Sequence, residues 1–234
     1  MKIKNIKSVV QLQAIVGILL FSVACSPKIT TAQKEASTQN FAQMKDNQFV
    51  VNDQPYYFIG TNFWYGAILG STGQGGDRDR LIRELDFMNA NGITNLRVLI
   101  GADGENGVPS KVEPTLQLKP GVYNDSIFDG LDFFMAEMGK RNMKAVLYFT
   151  NSWEWSGGYS QYLNWVGKGK NPVPSVDGWP AYMEYVKQYA TCSECKELLK
   201  NHIKNVMTRT NRYTGKRYVE DPAIFSWQNG NEPR

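Results

Sequence analysis

The chain has 234 residues, of which 42% are hydrophobic and 12% aromatic, and this is enough apolar material for one well-packed domain. Its formal net charge of +4 arises from 26 basic and 22 acidic side chains, and no block of Lys and Arg alternates with aromatic residues. The composition therefore argues against an intrinsically disordered protein and gives no support to nucleic-acid binding.

The first 24 residues are predicted to be an export signal. The basic start MKIKNIK precedes the apolar run AIVGILLFSVA, which has the length of a signal-peptide core and is too short to span a bilayer. The small residues Ser22 and Ala24 then lead into Cys25, and this order resembles a bacterial lipoprotein signal in which Cys25 carries the lipid. Leucine is usual where Ser22 stands, so a plain secretory signal remains an alternative. We expect an exported protein anchored to a membrane through Cys25, in the periplasm or at the cell surface, or otherwise secreted.

Residues 25–46 are polar and show no periodicity, which is typical of a flexible tether. The folded domain is predicted to begin at Asn47 with a hairpin that turns at Asn52 and Asp53. Its second strand is expected to continue as far as Asn62. The glycine-rich stretch LGSTGQGGD that follows lacks the Lys and Ser/Thr of a phosphate-binding loop, and we interpret it as a flexible loop.

Beyond this loop, helical and strand patterns alternate along the chain. Apolar residues recur at helical spacing over 77–91, 124–142, 179–189 and 195–213. The strand patterns are ITNLRVLI, KAVLYFT and AIFSWQ, and the segments rich in Trp, Gly and Pro between them are interpreted as loops. Strands that alternate with helices predict an α/β fold with a parallel sheet.

Two cysteines, Cys192 and Cys195, lie three positions apart. A zinc site needs four ligands, and His202, the only histidine, is the one further candidate nearby. In an exported protein a local structural disulfide is the favoured interpretation, with two free thiols as the alternative. No metal or organic cofactor is expected.

Polar and aromatic residues follow the predicted strands, and this arrangement favours a barrel over a doubly wound sheet. In a (β/α)8 TIM barrel the functional side chains gather at the carboxyl ends of the strands. The residues after the strands are Trp64, Tyr65, Asn151, Trp153, Trp155, Asn231 and Glu232, and Arg97 lies within the second strand. Only four such strands are present where a barrel has eight. We therefore predict that residues 47–234 form a (β/α)8 barrel truncated after the fourth strand.

The segment DPAIFSWQNGNEPR resembles the fourth strand of glycoside hydrolase family 5, whose Asn-Glu-Pro motif carries the acid/base glutamate. GTNFWYG, NLRVLI and NSWEWSGG, in that order, resemble the endo-β-1,4-mannanase subgroup of this family. The residues Gln228, Asn229 and Gly230 precede the Asn-Glu-Pro motif here, whereas the family more usually has Glu-Leu-Ala at these positions (ELANEP). The resemblance covers about residues 47–234 and implies a retaining endo-glycosidase that hydrolyses β-1,4-mannosidic linkages in mannan-type polysaccharides. It implies no protein partner.

The resemblance also implies roles for three residues. Glu232 would be the general acid/base, and Asn231 would hydrogen-bond the sugar 2-hydroxyl beside the reacting carbon. Arg97 would lie near the nucleophilic carboxylate and keep it ionised. These are the predicted catalytic residues.

Further candidates concern the substrate. Trp153 and Trp64 are predicted to stack on sugar rings, and Asn151 is predicted to contact substrate. Trp155 and Trp165 are interpreted as loop packing. Glu154 is set aside as a nucleophile because the family places that residue on its seventh strand.

Because the seventh strand is missing from the 234 residues, we expect this chain to be inactive by itself. A related family 5 β-1,4-glucanase is the nearest alternative function. A glycan-binding lipoprotein without catalytic activity is another, since aromatic side chains alone can hold a polysaccharide.

Overall fold

The computed structural model describes residues 41–233. The predicted signal segment 1–24, the lipidation candidate Cys25 and most of the predicted tether lie outside the described residues. Within 41–233, no helix is both long and apolar enough to cross a membrane.

The described chain begins with a small antiparallel sheet of three strands: β1 (Gln43–Lys45), β2 (Gln48–Val51) and β3 (Gln54–Pro55). The sheet therefore starts inside the segment 25–46, before the predicted boundary at Asn47. The predicted continuation of one strand to Asn62 is also wrong, because the chain leaves this sheet after β3 and enters a different one.

Two tight turns build this sheet. Asn52 and Asp53 have φ angles of 53° and 58°, and the turn predicted there joins β2 to β3. Asp46 and Asn47 have φ angles of 50° and 60° and join β1 to β2 in the same way. Asn and Asp tolerate this left-handed conformation better than most residues, which suits them to two-residue hairpin turns.

A four-stranded parallel sheet forms the centre of the fold. Its strands are β4 (Ile59–Asn62), β5 (Ile93–Leu99), β8 (Lys144–Asn151) and β9 (Ile224–Asn231), in the order β4-β5-β8-β9. The intervening β6 (Gln117–Lys119) and β7 (Val122–Tyr123) form a separate hairpin. Consecutive strands are neighbours, as in one half of a (β/α)8 barrel, and β4 and β9 are the edges.

Helices connect these strands. They are α1 (Gly66–Leu69), α2 (Arg78–Ala90), α3 (Asp125–Lys140), α4 (Gly158–Trp165), α5 (Pro174–Asp177), α6 (Trp179–Val186) and α7 (Ser193–Thr208). The helix predicted over 77–91 is confirmed as α2, and Asp77 caps it, since the Asp77 carboxylate accepts a hydrogen bond from the Arg80 backbone N–H at 2.8 Å. The helix expected over 179–189 is shorter and continues as 3-10 turns from Lys187 to Thr191.

Helix α4 occupies a segment that we interpreted as loop. Its N-cap Gly157 and its first residue Gly158 have φ angles of 83° and 57° and obscure its start in the sequence. Its apolar residues Tyr159, Tyr162 and Leu163 have the i, i+3, i+4 spacing of a buried helical face. Tyr162 and Leu163 are fully buried.

The hydrophobic core lies between the parallel sheet and the helices. Leu81 and Leu85 from α2 and Phe134 from α3 are completely buried beside Leu96 and Leu147 of the sheet. Burial of such side chains contributes roughly 1.5–3 kcal/mol each. This face of the sheet therefore carries most of the stabilising contacts described.

Helices α1 and α3 approach each other unusually closely. A Cβ atom at Gly130 would lie 2.1 Å from the Ala67 carbonyl oxygen, and one at Gly70 would lie 2.4 Å from the Gly130 carbonyl oxygen. Both contacts are with backbone, which cannot swing aside. Glycine is required here so that the loop after β4 can pack against α3.

A buried carboxylate attaches the chain before β9 to α3. Asp132 is fully buried and accepts hydrogen bonds from the Arg209 guanidinium at 3.1 and 2.7 Å and from the Tyr218 hydroxyl at 2.8 Å. The Arg212 backbone N–H lies 3.3 Å from the same carboxylate. These bonds fix the loop between α7 and β9, and thereby the path into the last strand.

Four aromatic rings join the small N-terminal sheet to β9. Phe49, Tyr56 and Phe58 surround Phe225, with ring-centroid distances to Phe225 of 4.9, 5.7 and 5.3 Å. We call these four residues the aromatic cluster. It fixes the N-terminal sheet to the edge strand of the parallel sheet.

The structure joins Cys192 and Cys195 in a disulfide at the start of α7. Both residues are buried, and Cys192 Sγ also accepts a hydrogen bond from the Cys195 backbone N–H at 3.2 Å. The disulfide and this hydrogen bond together stabilise the first turn of α7.

Because His202 is buried, we predict that the free energy of unfolding falls in acidic solution. The side chain is buried in α7 with Nδ1 3.2 Å from the Tyr123 hydroxyl, and burial lowers the pKa of His202 from 6.5 to about 4. In the unfolded chain the His202 imidazole is protonated as the pH falls below about 6.5, whereas in the folded chain it is protonated only near pH 4. Stability from neutral His202 is therefore complete above pH 6.5 and is lost as the pH falls through this window.

We expect His202→Gln to flatten the acid side of the stability curve. The difference between the wild type and the variant should change by on the order of 3 kcal/mol between pH 7 and pH 4. Urea unfolding at several pH values measures it. Buried Asp103, whose pKa burial raises to about 8, contributes an opposite slope in both proteins and cancels in the difference. A pH-independent difference would contradict the assignment.

Candidate active site

A cleft of about 440 Å³ lies at the carboxyl ends of the parallel strands. Its lining residues are Asn62, Trp64, Arg97, Tyr148, Trp153, Glu154, Trp155, Trp179, Asn231 and Glu232. Five of the six residues predicted to be catalytic or substrate-binding are among them. A larger cavity of about 550 Å³ lies between the loop after β5 and helices α4 and α5, and none of the predicted site residues lines it.

Glu232 follows the last residue of β9 and is held by the end of β8. Its φ angle is 44°, a left-handed conformation that is uncommon for residues other than glycine. Its carboxylate Oε2 accepts a hydrogen bond from the Trp153 indole N–H at 2.6 Å. Its backbone carbonyl accepts one from the Ser152 hydroxyl. Both the side chain and the backbone of Glu232 are therefore fixed by neighbouring residues of one segment.

Arg97 projects from β5 and spans the sheet to β9. Its Nε donates to the Gln228 side-chain oxygen at 2.8 Å, and its Nη2 donates to Asn231 Oδ1 at 2.9 Å. Its guanidinium also lies over the Tyr148 ring, 4.3 Å from the centroid. These three partners are neutral, so they position the cation without cancelling its charge.

Tyr148 is a hydrogen-bond donor at neutral pH. Burial raises the pKa of Tyr148 to about 12, the Arg97 charge opposes this rise, and the Glu232 carboxylate adds to it. The hydroxyl is therefore protonated at the working pH of most enzymes. No sequence pattern marks this residue, because it lies within the apolar stretch AVLYF of β8.

Asn231 is fixed at both ends of its amide. Its Oδ1 accepts from Arg97, and its Nδ2 donates to Asn151 Oδ1 at 3.0 Å. Nδ2 carries a second hydrogen, which remains for a ligand hydroxyl. Asn151 itself is fully buried and donates to the Ser156 hydroxyl at 3.1 Å. The prediction that Asn151 contacts substrate therefore does not fit, because this side chain supports Asn231 from beneath.

Tryptophan rings border the cleft. Trp64 lies edge-on to Trp155 with centroids 5.8 Å apart, and Trp153 lies edge-on to Trp179 at 5.4 Å. Trp155 was interpreted as loop packing, and its ring does pack against Trp64, but Trp155 also lines the cleft from the 3-10 turn Glu154–Ser156. Trp179 was not singled out, and no sequence signal connects it with the distant strand ends.

Trp165 does not line the cleft and packs against Tyr162, with ring centroids 5.1 Å apart. This agrees with the interpretation of Trp165 as loop packing. Glu154 lines the cleft but is largely buried, and its Oε2 is enclosed without a hydrogen-bond partner. Among residues 41–233, no three His, Cys, Asp or Glu side chains are grouped as metal ligands would be. The site therefore offers an acid, a cation, amides and aromatic surfaces.

Comparison with known proteins agrees with this geometry. The family described as GH family 5 beta-mannosidase-like matches residues 39–234. Mannan endo-1,4-beta-mannosidase 7 of Arabidopsis thaliana is 34% identical over 195 residues, which cover 83% of this chain and 41% of the relative. Mannan endo-1,4-beta-mannosidase 5 of Solanum lycopersicum is 29% identical over 217 residues, which cover 93% of this chain and 48% of the relative.

A solved structure is similar as well. A variant of the glycoside hydrolase family 5 mannosidase from Rhizomucor miehei, in complex with mannosyl-fructose, superposes with a TM-score of 0.80 at 34% identity. The match covers 84% of this chain and 50% of that one. The chain thus spans about half the length of the relatives it matches, and its four parallel strands are half of a (β/α)8 barrel. The chain belongs to glycoside hydrolase family 5, in its β-mannosidase-like group.

Proposed function

We propose that the protein is an endo-glycosidase that hydrolyses β-1,4-mannosidic linkages in mannan-type polysaccharides. The observation that carries this proposal is the Glu232 carboxylate, placed beside Asn231 in a cleft bordered by tryptophan rings. The plant relatives are named for this activity, and they match over more than four fifths of the chain.

The proposed mechanism is a retaining double displacement. Glu232 in its acid form donates a proton to the glycosidic oxygen as the C–O bond breaks, while a second carboxylate attacks the anomeric carbon and forms a glycosyl ester. Glu232, now a carboxylate, removes a proton from water as the water attacks that ester. Asn231 donates its remaining amide hydrogen to the sugar 2-hydroxyl, and the Arg97 cation favours the ionised nucleophile.

The nucleophile is the part of this proposal that residues 41–233 do not provide. Glu154 is the other carboxylate in the cleft, and its enclosed Oε2 is not presented to an anomeric carbon. We therefore assign the attacking carboxylate to a residue outside the described range and propose that the 234-residue chain is inactive by itself. The assay compares this chain with the full gene product.

The test is hydrolysis by the full gene product. Release of reducing ends from linear β-1,4-mannan, with an early fall in viscosity, supports an endo-mannanase, and a β-anomeric first product supports retention. Preferential release from β-1,4-glucan would establish the glucanase alternative. Retention on insoluble mannan without any new reducing ends would establish a binding protein and overturn the proposal.

We also propose that the protein is exported and anchored through a lipid on Cys25. The support is the order of small residues before Cys25, which lies outside the described residues. Metabolic labelling with an alkyne fatty acid should mark the wild type and not Cys25→Ser. A secreted, unlabelled wild type would contradict the anchor and leave export in place.

A further inference from the structure

We propose that Trp153 is a positioning residue for Glu232, through its indole N–H, and that this is its main contribution to the reaction. The inference rests on the proposed function, in which Glu232 is the general acid/base. It replaces the sequence-based expectation that Trp153 is chiefly a stacking surface for sugar.

The first observation is the hydrogen bond itself. The Trp153 indole nitrogen lies 2.6 Å from Glu232 Oε2. An indole N–H is a donor only, so this contact has one polarity in every protonation state of the site. Holding Oε2 leaves Oε1 as the carboxyl oxygen that exchanges a proton with substrate.

The second observation is that the same segment holds the Glu232 backbone. The Ser152 hydroxyl donates to the carbonyl oxygens of Glu232 and, at 3.2 Å, of Asn231. Asn151 Oδ1 accepts both the Trp153 backbone N–H at 3.1 Å and Asn231 Nδ2 at 3.0 Å. The end of β8 therefore fixes Trp153 and Glu232 relative to each other.

These contacts restrain both the backbone and the side chain of Glu232, which proton transfer requires in one orientation. A left-handed residue other than glycine costs roughly 1–2 kcal/mol, so Glu232 keeps its φ of 44° only because its surroundings impose it. A glutamate side chain has three rotatable bonds, and proton transfer requires its oxygen within hydrogen-bond reach of the glycosidic oxygen. The indole N–H removes the alternative orientations that would place it elsewhere.

Positioning and stacking differ in their dependence on the leaving group. A 2,4-dinitrophenolate departs without protonation, so its release does not need a correctly placed acid. A sugar alkoxide departs only with the proton from Glu232. Loss of a positioning contact therefore affects oligosaccharides much more than dinitrophenyl glycosides, whereas loss of a stacking surface affects both.

The test measures kcat/KM on mannotetraose and on 2,4-dinitrophenyl β-mannobioside. It compares the full gene product with three separate variants, each changed at one residue. Benzothienylalanine at position 153 keeps the shape of the indole and replaces its N–H by sulfur, and Trp153→Phe is the simpler variant. Trp155→Phe is the matched control, because Trp155 lines the same cleft and is edge-on to Trp64 rather than bonded to Glu232.

With benzothienylalanine we expect kcat/KM on mannotetraose to fall by about 10- to 100-fold and on the dinitrophenyl substrate by less than about threefold. Trp155→Phe should change both values by the same factor. Equal losses on both substrates, or no loss, in the benzothienylalanine protein would overturn the positioning role and leave the proposed function standing. A wild type inactive on every mannan substrate would overturn both. Near-UV circular dichroism verifies that each variant is folded.

Discussion

Replacing Glu232 by Gln in the full gene product is expected to lower kcat on mannan by about 10²- to 10⁴-fold. The amide keeps the size of the side chain but cannot donate the proton that the leaving sugar oxygen requires, nor later accept one from water. Reducing-end release measures the loss. Substrate affinity should change little, because Gln can still accept the indole N–H of Trp153.

The matched control is Glu220→Gln, which changes an exposed glutamate on the turn before β9. It should retain the activity of the wild type and the same melting temperature. Added azide should restore release of 2,4-dinitrophenolate from a 2,4-dinitrophenyl mannoside by Glu232→Gln, because azide needs no base to attack the anomeric carbon of the glycosyl ester, where it displaces the carboxylate and gives a β-mannosyl azide. A Glu232→Gln protein with more than a third of the normal activity would show that another group is the acid/base.

The second large effect concerns stability. Asp132→Ala is expected to lower the free energy of unfolding by about 3–5 kcal/mol, because it leaves the Arg209 guanidinium without its buried counter-charge. Arg209 is 17% exposed and Asp132 is fully buried, so solvent relieves only part of the loss. The Tyr218 hydroxyl loses its acceptor at the same time. Urea unfolding of the isolated variants gives the difference.

Two comparisons isolate this effect. Glu197→Ala removes an ion pair with Lys200 in which both side chains are more than 60% exposed, and it should cost less than about 0.5 kcal/mol. Asp132→Ala with Arg209→Met should be more stable than Asp132→Ala alone, since the unpaired cation is gone. A cost below about 1 kcal/mol for Asp132→Ala would show that the network is not what fixes the loop before β9.

Sequence patterns were sufficient for three of the four strands of the central sheet because strand and helix periods are local properties. The runs ITNLRVLI, KAVLYFT and AIFSWQ became β5, β8 and β9, and the polar residues after them meet in one cleft because parallel strands end at the same edge. Strand β1 was missed, although the pair Asp46–Asn47 marks its turn as clearly as Asn52–Asp53 marks the next one.

The remaining parts of the site depend on tertiary structure. Asn151 and Asn231 both lie at strand ends and both are buried, and only the fold shows that Asn231, not Asn151, lines the cleft. Trp179 comes from a helix whose sequence gives no reason to associate it with the strand ends. The bond between Trp153 and Glu232 joins residues far apart in the chain, and neither local period nor composition encodes it.

During synthesis, three residues of the aromatic cluster, one in the N-terminal sheet and two directly after it, emerge from the ribosome long before their common partner. Phe49, Tyr56 and Phe58 all precede Phe225 by more than 160 residues. At a synthesis rate of about 5–20 residues per second, Phe225 is added on the order of ten seconds or more after these three residues. In that interval they are exposed to chaperones and to the same segment of other nascent chains. The N-terminal sheet is therefore synthesised long before it can reach its final packing against β9.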